Sequence, residues 1–358
     1  MKTLKLRIKD KHAKVLIQLA SEANFVWNYC NELGYKHLQR TGKFFSAFDM
    51  AAYTKGASKS GLSLHSQTIQ AITEELVTRR KQFKKAKLNW RVSNLETTNP
   101  KSPKKSLGWI PFKASGIQYQ NGQVRYAGHW FGLWDSYGLS KHKVKTGSFV
   151  QDSRGRWYVC LVVDTPEPTQ TIEGKTPVGI DLGLKDFATL SNGQKIEAKR
   201  IYRKYQQKLG IAQRANKKNR TRAIHAKIKN IRSDFHHKLS RQLVNDHAAI
   251  FVGNVNAKGL AKTKLAKSVL DAGWTAFRTM LKYKCENAGV WFEEVNEAYT
   301  TQTCSCCGSR HNSPKGRAGL RIREWTCQGC GTAHDRDVNA AKNILAAGHC
   351  RLAGGIPL

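Results

Sequence analysis

Pro177-Val178-Gly179-Ile180-Asp181-Leu182-Gly183 is the stretch that decides the fold of the larger part of this 358-residue chain. Its apolar residues predict a buried strand that carries Asp181 close to its end. The next apolar segment, residues 187–190, is expected to return beside it as a hairpin partner. Gly179 and Gly183 allow close approach to the strand, which makes Asp181 a candidate metal ligand. An aspartate at a strand end is also a common turn former, so Asp181 alone is a weak signal.

Buried strands and helices alternate through the rest of this half. Residues 249–253 and 290–295 are predicted strands, and residues 233–247 and 274–289 are predicted helices. A strongly basic helix is expected over residues 199–229, where twelve of the thirty-one residues are Lys or Arg. This alternation is typical of an α/β domain.

The first half of the chain has a different pattern. A strand at the N-terminus precedes two apolar-periodic segments that predict helices, the second beginning at Ser66 as N-cap. Short aromatic and β-branched segments separated by turn signals then predict a small antiparallel barrel. The corresponding ranges are residues 1–8 for the strand, 11–39 and 66–88 for the helices, 89–106 for an irregular link, 109–163 for the barrel and 165–168 for the boundary.

The charge of the chain points to a polyanionic partner. Lys and Arg number 61 against 25 Asp and Glu, which gives a formal net charge of +36. Such a field attracts nucleic acid, and we expect the contacts to weaken steeply with salt. The candidate contacts lie in two basic clusters that could also be solvated helix faces: Arg79, Arg80, Lys84 and Lys85, and Lys199, Arg200, Arg203 and Lys204.

Membrane insertion and secretion are not expected. No run of about 18 apolar residues occurs, and the N-terminal residues lack the apolar region of a signal peptide. Five of the nine cysteines crowd into residues 304–330 with metal-ligand spacing instead of forming a disulfide framework. We therefore expect a reducing cytoplasm.

Two Cys-x-x-Cys pairs predict a structural zinc site. Cys304 and Cys307, then Cys327 and Cys330, match the two knuckles of a tetrahedral four-thiolate centre. Cys306 could compete as a ligand. Cys307 is preferred because Gly308 follows it as Gly331 follows Cys330, which would give two equivalent turns.

A second candidate carboxylate begins the last predicted helix, residues 335–345. Asp335 is the expected N-cap. Asp337 lies three, four and seven residues before Ala340, Ala341 and Ile344 of the apolar stripe, so it is expected to face the sheet. Asp181 and Asp337 therefore form a candidate pair of metal-binding carboxylates.

Four motifs together resemble the TnpB (OrfB) family, the transposon-encoded RNA-guided DNA endonucleases related to type V CRISPR effectors. They are Gly179-Ile180-Asp181-Leu182-Gly183, Asp271-Ala272-Gly273-Trp274, Tyr299-Thr300-Thr301-Gln302-Thr303-Cys304 and Asp335-Arg336-Asp337-Val338-Asn339-Ala340-Ala341. The resemblance implies an α/β nuclease domain of the RuvC (RNase H-like) type with an inserted zinc ribbon. A small wedge-like β-barrel with an inserted helical recognition domain would precede it.

The domain boundaries implied by the resemblance cover the whole chain. They are residues 1–10 and 107–170 for the wedge-like barrel, 11–106 for the helical recognition domain, 175–303 and 332–348 for the nuclease, 304–331 for the zinc ribbon and 349–358 for a tail.

One residue departs from the family pattern. The family usually carries a catalytic glutamate after the second nuclease strand, where this chain has Gly253. Glu293, Glu294 and Glu297 lie on or just beyond the neighbouring predicted strand and could supply it. Glu297 is preferred because ligands gather beyond the carboxyl ends of strands, and Glu293 is second. All three could also be solvated edge charges.

The implied activity is cleavage of DNA beside a transposon-adjacent motif, with Asp181, Glu297 and Asp337 holding Mg²⁺ or Mn²⁺. The implied partners are a guide RNA from the transposon end and double-stranded target DNA, in a prokaryotic cytoplasm and at the nucleoid when DNA is bound. The alternatives are a nuclease-inactive RNA-guided repressor and a strand-transferring transposase. The sequence leaves the oligomeric state open.

Overall fold

The protein is seen here as a computed structural model that describes residues 2–93, 106–164, 174–311, 313–315, 319 and 322–353. The chain divides into two compact units, Met1–Pro166 and Glu167–Leu358. The predicted boundary at residues 165–168, most of the predicted link 89–106 and the end of the predicted tail lie outside the described residues.

The first unit is built on a seven-stranded antiparallel sheet with the order β2-β6-β7-β1-β5-β4-β3. Its strands are β1 (Lys2–Ile8), β2 (Trp109–Lys113), β3 (Gln118–Gln120), β4 (Gln123–Tyr126), β5 (His129–Trp134), β6 (Val144–Gln151) and β7 (Trp157–Val163). β1 lies at the centre, and its alternate residues Leu4, Leu6 and Ile8 are buried. The predicted small antiparallel barrel is an open one: β2 and β3 are the edges of this sheet among the described strands, so it is a half-barrel.

The described residues of this unit also form the helices α1 (Ala13–Thr41), α2 (Ala47–Thr54) and α3 (Ser66–Phe83). The predicted helix over residues 11–39 is confirmed as α1. The N-cap predicted at Ser66 is wrong, because His65 precedes the helix and its Nδ1 accepts a hydrogen bond from Gln67 N at 3.2 Å. Helix α2 was not predicted, although Ser46 and Asp49 form a capping box at its start.

The second unit contains a five-stranded sheet with the order β10-β9-β8-β11-β12. The strands are β8 (Val178–Leu182), β9 (Asp186–Leu190), β10 (Lys195–Glu197), β11 (Ala249–Gly253) and β12 (Trp291–Val295). β8, β11 and β12 run parallel, and β9 returns antiparallel to β8 as predicted. The short edge strand β10 was not predicted.

Helices lie on both faces of this sheet. They are α4 (Ile201–Arg214), α5 (Lys218–Asp246), α6 (Ala257–Leu260), α7 (Ala266–Ala272), α8 (Trp274–Ala288) and α9 (Arg336–Ala353). Ile180 and Leu182 share a core with residues of α5 and α8. Phe251 and Val295 pack on the other face against Ile344 of α9. The sheet is therefore the middle layer of three.

The basic segment after β10 forms two helices whose break differs from the prediction. A single helix over residues 199–229 and a second over 233–247 were expected, whereas α5 runs without interruption from Lys218 to Asp246. The break falls at residues 215–217, where Asn216 adopts a left-handed φ of 49°. Asparagine tolerates this conformation better than other non-glycine residues, which explains why the chain turns there.

A two-stranded hairpin precedes α9. Its strands are β13 (Glu324–Thr326) and β14 (Ala333–Asp335), with Glu324 opposite Asp335. Cys327 and Cys330 lie in the turn between them. Within the described ranges, no helix has the length and apolar character needed to cross a membrane.

The buried His236 of α5 makes the stability of the second unit depend on pH, and this dependence can be tested. Burial lowers its pKa to about 4, and its Nε2 lies 2.9 Å from Ala272 O, so the neutral ring donates to that carbonyl. The unfolded chain takes up a proton at about pH 6.5 that the folded chain resists. The contribution of His236 to the free energy of unfolding is therefore fully present above about pH 6.5. About 3 kcal/mol of it is lost as the pH drops to 4.

The variant His236→Gln keeps an amide donor and cannot titrate. We expect urea unfolding of the full chain, measured from pH 7 to 4, to lose less stability in this variant than in the wild type. His225→Gln, exposed on the same helix, is the matched control and should follow the wild type. Equal pH dependence in His236→Gln and the wild type would contradict the assignment.

Candidate functional site

Asp181 lies near the end of β8, on the face of the sheet that α9 covers. Strand alternation places it on the same face as Gly179, where an added Cβ would collide with Ala341 O of α9. Its carboxylate is partly buried. Burial, and then the negative charges of Asp337 and Glu297, raise the pKa of Asp181 to about 7. The charges of Asp337 and Glu297 therefore act on Asp181 at this edge of the sheet.

Asp337 lies in the first turn of α9. Asp335 caps the helix, because its Oδ1 accepts hydrogen bonds from Asp337 N and Val338 N, both at 3.0 Å. Both carboxylate oxygens of Asp337 accept from Arg323 Nη1, at 3.1 and 2.8 Å. Arg323 directly precedes β13, so the cysteine-bearing hairpin contacts this acidic site.

Glu297 lies beside the glycine that replaces the expected glutamate. Gly253 is in register with Val295 on the parallel strand β12, and Glu297 follows two residues later. A Cβ built on Gly253 would lie 2.8 Å from Glu297 Oε2 and 3.3 Å from Glu297 Cβ. The side chain of Glu297 therefore fills the space that a side chain at position 253 would need.

Asn254 holds the backbone of this turn. Its N–H donates to Val295 O at 2.9 Å, and its Oδ1 accepts from Glu297 N at 3.3 Å. Burial raises the pKa of Glu297, and the positive charge of Arg278 opposes that rise. Glu297 is thus a partly buried carboxylate held beside the ends of β11 and β12.

The two other glutamates lie differently. Glu293 is 4% exposed and is in register with Phe251, which places it in the interior of β12 and not beyond its end. Glu294 is exposed, and its Oε2 accepts from Arg278 Nη1 at 2.8 Å. Among the three, Glu297 is the glutamate whose charge contributes to the raised pKa of Asp181.

The four cysteines with knuckle spacing come together. Cys304, Cys307, Cys327 and Cys330 have Sγ atoms that all lie within 4.8 Å of one another. The Sγ atoms of Cys304 and Cys330 are 3.7 Å apart, and those of Cys307 and Cys327 are 3.6 Å apart. Zinc bonds of about 2.3 Å in a tetrahedron separate the sulfurs by about 3.8 Å. The cluster therefore fits a structural zinc site.

The two knuckles have matching backbone geometry. Gly308 N donates to Cys304 O at 2.9 Å, and Gly331 N donates to Cys327 O at 2.8 Å. Both glycines have positive φ, 75° and 70°. Cys306 is exposed and lies outside the four-sulfur cluster. Among the described residues, the four cysteines are the only group of potential metal ligands whose ligand atoms lie this close together. The three carboxylates are therefore farther apart than the four sulfurs.

Asn339 and Asn343 of α9 join the acidic site to the cysteine cluster, and sequence reasoning gave them no role. Both side chains donate to Thr300 O and Thr303 O, at distances between 2.6 and 3.2 Å. Asn339 Oδ1 also accepts from Ser305 N at 2.8 Å. Their spacing of four residues on one face of the helix that carries Asp337 in its first turn is the signal that could have identified them.

The residues predicted to bind nucleic acid have varied surroundings. Arg79 is paired with Glu75 at 2.6 Å. Arg80 is only 4% exposed and its guanidinium nitrogens have no hydrogen-bond partner, so it is not a surface contact in this conformation. The remaining six are exposed: Lys84, Lys85, Lys199, Arg200, Arg203 and Lys204.

Two family models match the chain. One, described as a probable transposase of the OrfB/IS605 type, matches residues 160–264. The other, described as a Cas12f1-like TNB domain, matches residues 274–344. The first match covers β8 with Asp181, and the second covers Glu297, the four cysteines and Asp337.

Curated relatives match over a longer part of the chain. A putative RNA-guided DNA endonuclease from Streptomyces pristinaespiralis is 36% identical over 275 residues, which are 71% of this chain and 66% of that protein. The putative RNA-guided DNA endonuclease InsQ from Escherichia coli K12 is 34% identical over 234 residues, 58% of this chain and 57% of that protein. The chain thus spans somewhat less than two thirds of the length of these relatives.

A solved structure shares the fold. The Cas12f1 chain in a complex with single-guide RNA and target DNA matches 94% of this chain and 83% of its own length, with a TM-score of 0.61 at 14% identity. At that identity the likeness concerns the fold alone. The two family models and the curated relatives together identify the chain as a member of the TnpB (OrfB) family.

Proposed function

We propose that this protein is an RNA-guided DNA endonuclease that cleaves target DNA beside a transposon-adjacent motif by metal-dependent phosphodiester hydrolysis. The observation that carries the proposal is the position of Glu297 over Gly253. It brings a third carboxylate to Asp181 and Asp337 although the usual position of the family glutamate holds glycine.

The donor chemistry of the site fits Mg²⁺ or Mn²⁺. Asp181, Glu297 and Asp337 offer hard carboxylate oxygens, which these cations prefer. Burial, and then the negative charges of Asp337 and Glu297, raise the pKa of Asp181, and a bound cation would offset both effects. When bound, the metal ions would activate water and stabilise charge on the scissile phosphate.

The residues around the carboxylates would prepare the site. Asp181 must lose its proton to serve as a ligand, and the positive charges of Arg336 and Arg323 favour that loss. Arg323 donates to both oxygens of Asp337, so it would have to yield at least one of them to a metal. Asn254 would keep the Glu297 turn at the end of β11.

Two further features support the assignment of the units. A sheet with parallel β8, β11 and β12, an antiparallel β9 beside β8 and helices on both faces agrees with a RuvC-like nuclease domain in the second unit. The half-barrel with its helices would be the wedge and recognition domains. The four thiolates would hold one structural Zn²⁺, with no open position for water.

The partners would be a guide RNA from the transposon end and double-stranded DNA. The charge of +36 provides the sequence-independent attraction to both. Base pairing with the guide would then supply sequence recognition. The inactive-repressor alternative is disfavoured, since a site without metal gains nothing from burying Asp181 where the negative charges of Asp337 and Glu297 also raise its pKa.

The first prediction concerns cleavage. RNA that copurifies with the protein is sequenced, and its target is placed in a supercoiled plasmid. We expect double-strand breaks with Mg²⁺, and a loss of at least about a hundredfold in Asp181→Ala with target binding retained, because a direct ligand should matter more than outer-shell partners. Binding without breaks in the wild type would instead support a repressor, and joined transposon ends a transposase.

The second prediction concerns the origin of the third carboxylate. Glu297→Ala should lose cleavage, and adding Gly253→Glu to that variant should restore part of it, because the new side chain enters the vacated space. Gly253→Glu alone should be poorly active, since two glutamates would compete for one space. Manganese binding followed by electron paramagnetic resonance should change in parallel. Full cleavage by Glu297→Ala would refute the role, and Glu293→Gln then becomes the next variant.

The third prediction concerns zinc. The purified protein should contain one zinc per chain by elemental analysis, and Cys307→Ser should lower both the zinc content and the melting temperature. Cys306→Ser is the matched control, because its sulfur lies outside the cluster. Zinc loss in the Cys306 variant with retention in the Cys307 variant would reverse the ligand assignment.

A further inference from the structure

A cavity of about 590 Å³ lies in the second unit, on the face of the sheet opposite α9. Its walls come from the turn after β8, the first turn of α4, one side of α5, and α7 with the segment before it. Pockets of this size take ligands as large as a nucleotide. The proposed nuclease activity gives this cavity no role.

The rim of the cavity is strongly basic. The lining includes seven cationic residues: Lys185, Lys199, Arg200, Arg203, Arg232, Lys264 and Lys267. One carboxylate, Asp271, is also present, but its two oxygens accept hydrogen bonds from Tyr202 N at 2.8 and 2.9 Å. Arg232 lies 3.9 Å from it. Asp271 is therefore occupied in holding the start of α4, and the rim as a whole attracts anions.

The floor of the cavity is apolar and aromatic. Phe187 and Phe235 pack edge to face with ring centroids 5.1 Å apart. Phe235 is partly exposed, and Lys199 Nζ lies 6.0 Å from its ring centroid. Leu265 is 48% exposed at the same cavity. An aromatic floor beneath a cationic rim matches a nucleotide, whose base stacks on rings while its phosphate meets cations.

The cavity and the acidic site lie at the same end of β8. Gly183 and Leu184 of its wall directly follow β8, whose residue Asp181 faces the opposite side of the sheet. Both features therefore lie at the carboxyl-terminal edge of β8, where ligands of open α/β sheets collect. A single strand that crosses this edge could place one phosphate at the carboxylates and a neighbouring nucleotide in the cavity.

We propose that this cavity binds one unpaired nucleotide of a single strand, with its base on Phe235 and its phosphate near Lys264 and Lys267. The link to a strand being cut rests on the proposed endonuclease function, whereas the nucleotide chemistry of the cavity does not. The nucleotide comes either from DNA or from RNA, and the two sources share the base and phosphate that the cavity recognises.

The experiment uses the full chain in EDTA-free buffer without Mg²⁺ or Mn²⁺, so that no cleavage occurs. The probes are single-stranded oligo(dT) and oligo(U), each with one central 2-aminopurine whose fluorescence falls on stacking. Lys264→Ala/Lys267→Ala should weaken binding at least about fivefold more than the control and reduce the slope of log K against log salt by about 0.7 for each phosphate that the variant no longer neutralises. Lys258→Ala/Lys262→Ala removes two exposed lysines from the same segment, outside the cavity, and is the matched control.

Phe235→Leu tests stacking separately, and its melting temperature shows that it folds. It should lose the quenching of 2-aminopurine while the lysine control keeps it. Quenching on oligo(dT), on oligo(U) or on both supports the cavity and identifies the source. The cavity proposal is overturned if both cavity variants show the same quenching and the same affinity as the control, even if the wild type cuts plasmid. Loss of quenching in Phe235→Leu with no plasmid cleavage by the wild type would leave the cavity standing and refute the endonuclease.

Discussion

The contact between α9 and β8 is the constraint on which the acidic site depends. Residue 179 has no side chain, and an added Cβ would meet both Ala341 O and Leu345 of the helix. The helix can therefore lie directly on the strand, and its first turn brings Asp337 to the edge of the sheet where Asp181 lies near the end of β8. Any side chain at position 179 would push the helix away and separate the two carboxylates, since a packed interior has no spare volume.

The same helix also fixes the cysteine cluster relative to the carboxylates. Asn339 and Asn343 bind the carbonyls of Thr300 and Thr303, just before Cys304. At the other end of the hairpin, Arg323 binds Asp337. A zinc ion that holds the two knuckles together would therefore stiffen the segment that follows Glu297 and the residue that pairs with Asp337. Such a metal centre would contribute to the acidic site through the positions of these residues and not through chemistry.

Much of this arrangement could be predicted from the sequence, because the relevant signals are local. Buried strands 178–182 and 249–253, helix α1 and the cysteine spacing each follow from a short pattern of residue types. The misses have tertiary or conformational causes. Closure of a barrel depends on whether its edge strands meet, and the helix break at Asn216 depends on a single left-handed residue. Arg323 and the paired asparagines act through partners that are distant in sequence, so no local pattern reveals them.

Glu297 shows how far the sequence can indicate that a side chain near a neighbouring strand takes the place of one missing at position 253. Parallel pairing of β11 and β12 with Gly253 opposite Val295 means that a residue just past β12 can return over the end of β11. Sequence reasoning could therefore name Glu297 as a candidate, since it lies beyond a neighbouring strand. It could not show that Glu297 Oε2 would come within 2.8 Å of a Cβ at position 253, which depends on the turn held by Asn254. Because the two positions share one space, a side chain at 253 would force Glu297 to move from the position that it takes beside Gly253. A glutamate at both positions would bury two like charges in contact, and each would raise the pKa of the other. Glycine at 253 thus agrees with a site whose third carboxylate comes from position 297.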